Sequence, residues 1–114
     1  MNKKTLKALE ESIAHWERMR DDPDCDEEPS GTDCPLCARF GGGERCYGCP
    51  VYDRTLRRNC EGSPLADAVV ARYLAVRASP ADKFVAVAEW RRQATREIQF
   101  LRSLLPAPAK EIKP

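Results

Sequence analysis

Residues 33–60 read D-C-P-L-C-A-R-F-G-G-G-E-R-C-Y-G-C-P-V-Y-D-R-T-L-R-R-N-C. Two C-x-x-C pairs, Cys34/Cys37 and Cys46/Cys49, are separated by eight residues, and Cys60 follows eleven positions after Cys49. Only Leu36, Phe40, Tyr47, Val51, Tyr52 and Leu56 are available to bury. Ordering a backbone residue costs about 1–2 kcal/mol, and a buried apolar side chain returns about 1.5–3 kcal/mol. Six such side chains do not offset the ordering of this stretch, so the pattern predicts a further stabiliser. A C-x-x-C pair brings two sulfurs to one ion from a single turn, and two pairs give four thiolates for a tetrahedral zinc. Structural zinc supplies on the order of 10–16 kcal/mol in small folds. Cys34, Cys37, Cys46, Cys49 and Cys60 are therefore the candidate metal ligands, five thiols for four places. With four thiolates the ion has no open position, so the predicted zinc is structural. An iron–sulfur cluster is the alternative, since Cys49-Pro50 occurs in ferredoxin-type ligation, although the spacing is not a ferredoxin's. Dithiol redox chemistry is disfavoured because no strand precedes either pair.

Outward from this stretch the chain reads as helix. Leu6, Leu9, Ile13, Trp16 and Met19 recur at three- and four-residue spacing, predicting an amphipathic helix over 5–20 with Thr5 as its cap. His15, the only histidine, falls off the apolar stripe and is expected as an ordinary, partly exposed side chain. Residues 21–33 carry six acidic groups between Asp21 and Glu28, with Pro23 and Pro29. They read as a solvated linker, or as an acidic surface that imitates phosphates. Cys25 lies among these carboxylates and ranks last as a ligand.

Ser63-Pro64 predicts the start of a second helix over 64–78. Its expected inner stripe is Leu65, Val69, Tyr73 and Val76, with Ala66, Ala68, Ala71 and Ala75 permitting close approach. Ser79-Pro80-Ala81-Asp82 repeats the start signal for a third helix over 80–105, with Phe84, Val87, Ala94, Ile98, Leu101 and Leu105 as its seam and Trp90 at one margin. Trp16 is expected to face it. Residues 106–114 read as a disordered, proline-rich tail. The fold class is all-α: three amphipathic helices with a Cys-rich zinc-knuckle insert between the first and second, in one domain over 1–105.

Composition narrows the function. The 114 residues carry a net charge of +1, but residues 1–28 hold −4 and residues 63–114 hold +4. Neither a signal peptide nor a membrane span is legible, so a cytoplasmic location is expected. In a reducing cytosol, cysteines at this spacing are metal ligands more often than disulfides. No phosphate-binding glycine loop or nucleophile–base pattern is present, so an enzyme is not expected. Two readings of function follow, beside the alternative of an iron–sulfur or redox protein. One is a non-enzymatic protein that binds another protein. The other is nucleic-acid binding, with Arg39, Arg45, Tyr47, Arg54, Arg57 and Arg58 supplying charge and a stacking surface beside the cysteines.

The strings C-P-L-C (34–37), C-Y-G-C-P-V (46–51) and C-E-G-S-P (60–64), with A-L-E-E-S-I-A-H-W (8–16) before them and E-I-Q-F-L-R-S-L-L-P (97–106) after, resemble small uncharacterised proteins of bacteriophages and prophages. Cys34, Cys37, Cys46, Cys49 and Cys60 match the pattern of that group, and Cys25 does not. The resemblance implies a phage accessory protein acting in the bacterial cytoplasm on a host or phage partner. It implies no particular activity.

Overall fold

The structure is a computed structural model of the chain, and it describes residues 1–22, 25–29, 34–40, 49–55 and 62–106. Five helices account for most of them: α1 (Lys3–Asp21), α2 (Pro35–Phe40), α3 (Pro50–Thr55), α4 (Leu65–Arg77) and α5 (Lys83–Ser103). No strand occurs among the described residues. The all-α expectation holds at that level, with α1, α4 and α5 near their expected positions. Two six-residue helices, α2 and α3, are present inside the cysteine region. The expected tail lies almost wholly outside the described residues. Among the described residues, no helix is long and apolar enough to cross a membrane.

The helix starts follow from their flanking residues, with one correction. Asn2, rather than Thr5, caps α1: its side-chain oxygen accepts the Thr5 amide at 2.8 Å, one of the donors that a helix N-terminus leaves unsatisfied. Thr5 is instead buried one turn inside. Before α4, Gly62 takes φ +87°, a conformation glycine adopts without steric cost. The Ser63 hydroxyl then accepts the Leu65 amide at 3.2 Å. Ser79 and Asp82 close the turn into α5, where Asp82 N–H reaches Ser79 O at 3.0 Å. Lys83 Nζ donates to Ala75 O at 2.8 Å, capping the C-terminal carbonyls of α4 from the first turn of α5.

α5 packs against both α1 and α4, and α1 also carries α2. Trp90 of α5 is the common point, not a marginal residue. Its ring lies 5.9 Å from that of Trp16 at an interplanar angle of 34°. On α4, the Arg72 guanidinium stands 5.2 Å from the same ring centroid. The indole N–H donates to Met19 O at 3.3 Å, satisfying a carbonyl in the last turn of α1. Leu9, Ile13, Trp16 and Met19 from α1 meet Ala94, Ile98 and Leu101 from α5 around this centre, with Leu36 of α2 and Val51 of α3 also buried.

The orientation of α4 departs from the expectation. Its buried residues are Ala68, Ala71, Arg72 and Ala75. Val69, Val70, Tyr73, Leu74 and Val76 are all exposed. The alanines bring the α4 backbone close to α5; of the expected inner stripe, Val69, Tyr73 and Val76 point away while Leu65 is half-buried against the core. On α5, Phe84 is likewise outside the core rather than in its seam. The apolar residues of α4 surround the helix almost completely, so their periodicity did not select a face.

Candidate functional site

The cysteine end is built on α2 and α3. Cys34 and Cys49 each stand immediately before a proline that opens a six-residue helix. The carbonyl of Cys34 accepts from Ala38 N at 3.0 Å, and that of Cys49 from Asp53 N at 2.9 Å. Each cysteine therefore sits at the N-terminal turn of a short helix, and Cys37 lies one turn beyond Cys34. The Cys34 sulfur is 3.8 Å from the Ser12 hydroxyl, which also accepts the Leu36 amide at 3.2 Å, so the first C-x-x-C turn is fastened to α1. The hydrogen bond with Cys37 is the main cause that lowers the Cys34 thiol to about 5, against an opposing effect of burial. Cys49 is buried, while Cys25, Cys34 and Cys37 are half-buried. Among the described residues no three His, Cys, Asp or Glu side chains gather closely enough to hold a metal ion. Of the five candidate ligands, Cys46 and Cys60 lie outside the described residues.

The arginines proposed beside the cysteines are engaged within the chain where they are described. Arg39 Nε donates to Thr5 Oγ1 at 3.2 Å, and its guanidinium lies 5.4 Å from the Phe40 ring centroid. Arg54 donates to the Ser103 hydroxyl at 3.3 Å and to its carbonyl at 3.2 Å. Arg45, Tyr47, Arg57 and Arg58 lie outside the described residues.

A buried polar seam was not legible in the sequence. His15 is fully buried, not partly exposed. Its Nδ1 lies 2.5 Å from Glu27 Oε1, and Nε2 has no hydrogen-bond partner among the described residues. Arg18 closes on both oxygens of Glu27, at 2.5 and 2.8 Å. The Arg18 bond, then the His15 bond, hold the Glu27 carboxyl at about 2. Arg72 reaches across from α4 to Cys25 O at 3.2 Å and Glu27 O at 3.4 Å. Residues 25–29 of the expected solvated linker are thus pinned between α1 and α4, and Pro29 is buried. Further along α5, the buried Glu97 is pushed up to about 8, chiefly by desolvation and secondarily by Cys34, while a Ser63 hydrogen bond opposes the shift. The sequence signal for this seam was weak. Ser12 and His15 share a face of α1, but nothing in their spacing marks that face as buried.

The third feature is the outer surface of α4. At 100° per residue, Val76, Val69, Tyr73, Val70 and Leu74 cover one continuous arc opposite the buried alanines. They are between 40% and 59% exposed. Only Asp67 and Arg77, at the two ends, bring charge to this arc. Beyond the following turn, Phe84 is 83% exposed and Val85 is 70% exposed. The largest apolar patch on an ordinary monomer is roughly 300–600 Å². A side chain left fully exposed forgoes about 1.5–3 kcal/mol of burial, and seven large apolar residues on α4 and at the start of α5 are wholly or partly in that position.

No protein-family model, curated protein or solved structure matches the chain.

Proposed function

We propose that the protein is a non-enzymatic, zinc-stabilised helical module, an accessory protein of a bacteriophage acting in the host cytoplasm, that binds another protein through the outer face of α4. The observation that carries this reading is the orientation of α4, alanines inward and Val69, Val70, Tyr73, Leu74 and Val76 outward. The inner body rests on Trp90 and its neighbours. The outer face contributes little to that body, so its apolar content is explained by a partner.

Zinc in this reading joins the two C-x-x-C turns and stiffens the end of the molecule that abuts α1. Its support is the thiol-rich donor set and the placement of Cys34 and Cys49 at matching helix starts. The phage context rests on the resemblance of the cysteine strings.

The experiment is affinity capture from bacterial lysate with zinc-replete protein, comparing the native chain with Val70→Asp/Leu74→Asp. Both positions are exposed, so the variant keeps its helical content. Protein captured by the native chain and lost with the variant is the expected result. Equal capture by both, or no capture by a native chain that is also monomeric, overturns the reading.

A further inference from the structure

The outer face of α4 has a property beyond its apolarity: its two ends carry opposite charge, Asp67 in the first turn and Arg77 in the last. Ala66, Val70, Tyr73 and Arg77 run down the middle of the exposed arc at spacings of four, three and four. Along this line an antiparallel copy of the same helix can dock. Val70 then lies across from Tyr73 of the partner subunit, with Val69 on one flank of the contact and Leu74 on the other. The flanking pairs repeat by symmetry, as an isologous interface requires.

The charges agree with the pattern. Asp67 stands beside Ala66 at one end of the face and Arg77 at the other. In the antiparallel arrangement each Asp67 comes within side-chain reach of Arg77 of the partner subunit, at both ends of the pair. A parallel arrangement would instead stack like charges. Within one chain, Arg77 lies 3.9 Å from the Tyr73 ring centroid, and Asp67 meets the exposed Arg96 at 3.4 Å, so both charges remain at the rim of the face.

The face runs along a helix roughly 20 Å long, and Phe84 and Val85 are exposed beyond the following turn. From the opposed end charges and the exposed apolar face between them, we infer that the protein forms a twofold dimer in which α4 packs antiparallel on α4 of a second copy. This rests on the proposed binding role of that face and names its first occupant.

The test is sedimentation velocity on the full chain with zinc, from about 1 to 100 µM, a range in which a dimer of ordinary affinity dissociates visibly. A dimer is expected for the native chain and a monomer for Val70→Asp, with unchanged helical circular dichroism. Asp67→Arg is expected to weaken association about tenfold, and Asp67→Arg/Arg77→Asp to recover most of it. A native chain monomeric at 100 µM, or a dimer that survives Val70→Asp, overturns the inference. If the native chain is monomeric yet still captures a different protein through α4, the self-association falls while the binding reading stands. If it is monomeric and captures nothing through α4, both fall.

Discussion

His15 Nδ1 and Glu27 Oε1 lie 2.5 Å apart, joining the middle of α1 to a segment whose composition marks it as solvent-borne. The contact explains how a buried imidazole is accommodated. One ring nitrogen is satisfied by a carboxylate, which is itself held by Arg18, and Arg72 secures the backbone on either side. The acidic segment thus acts as part of the body rather than as a tether.

Its contribution is pH-dependent with a definite sign. The Glu27 carboxyl lies at about 2 in the folded chain against 4.5 ordinarily. A depressed carboxyl stabilises above its unfolded value, and that contribution is lost as pH falls from 4.5 towards 2. Solvent screening keeps it to the order of 1 kcal/mol. Thermal unfolding at pH 7 and pH 3 should show a drop in Tm that is smaller in Glu27→Gln. An identical drop in both would remove Glu27 from the acid response.

Glu97 responds in the opposite direction. Its folded value of about 8 lies above the usual 4.5, mainly because burial disfavours the carboxylate. Stability from this group is complete below pH 4.5 and is lost as pH rises through 8, at up to about 1.4 kcal/mol per pH unit. Denaturant unfolding at pH 5 and pH 9 should show the native chain weaker at pH 9. Glu97→Gln, neutral at both, should be less sensitive.

The two faces of α4 predict opposite responses to substitution. Ala71→Leu forces bulk into the closely packed α4–α5 contact and should cost about 1–3 kcal/mol. Val70→Asp, one residue earlier but on the outer face, should stay within about 0.5 kcal/mol for the isolated chain. Urea unfolding of both variants at a concentration that favours monomer makes the comparison. The reverse order would restore the inner stripe expected from sequence.

Elemental analysis of freshly purified protein should find one zinc per chain. Chelation should lower Tm and raise the number of thiols that react in the native state, since zinc-bound thiolates are protected. A brown protein absorbing near 400 nm would indicate an iron–sulfur cluster instead.

Much of the helical frame was legible in the sequence because its signals are local. Ser63-Pro64, the Ser79–Asp82 turn and the stripe of Leu9, Ile13, Trp16 and Met19 each act over a few residues, and Trp16 faces α5 as that stripe implies. What failed depended on tertiary choice. The periodicity of α4 offered two apolar faces, and close approach through Ala68, Ala71 and Ala75 determined which was buried. His15 and the acidic segment were misread for a related reason: each is polar alone, and only their mutual contact allows burial. The cysteine spacing proposes five ligands, of which Cys34, Cys37 and Cys49 are described, and spacing alone does not choose four of them.

The outer face of α4 as a binding surface is tested most directly by placing a photo-crosslinking phenylalanine analogue at Tyr73 and irradiating living cells that express the chain. A discrete crosslinked species is the predicted result, at twice the chain's mass if the partner is a second copy. A chain that remains uncrosslinked from position 73, while folded and zinc-loaded, would contradict it.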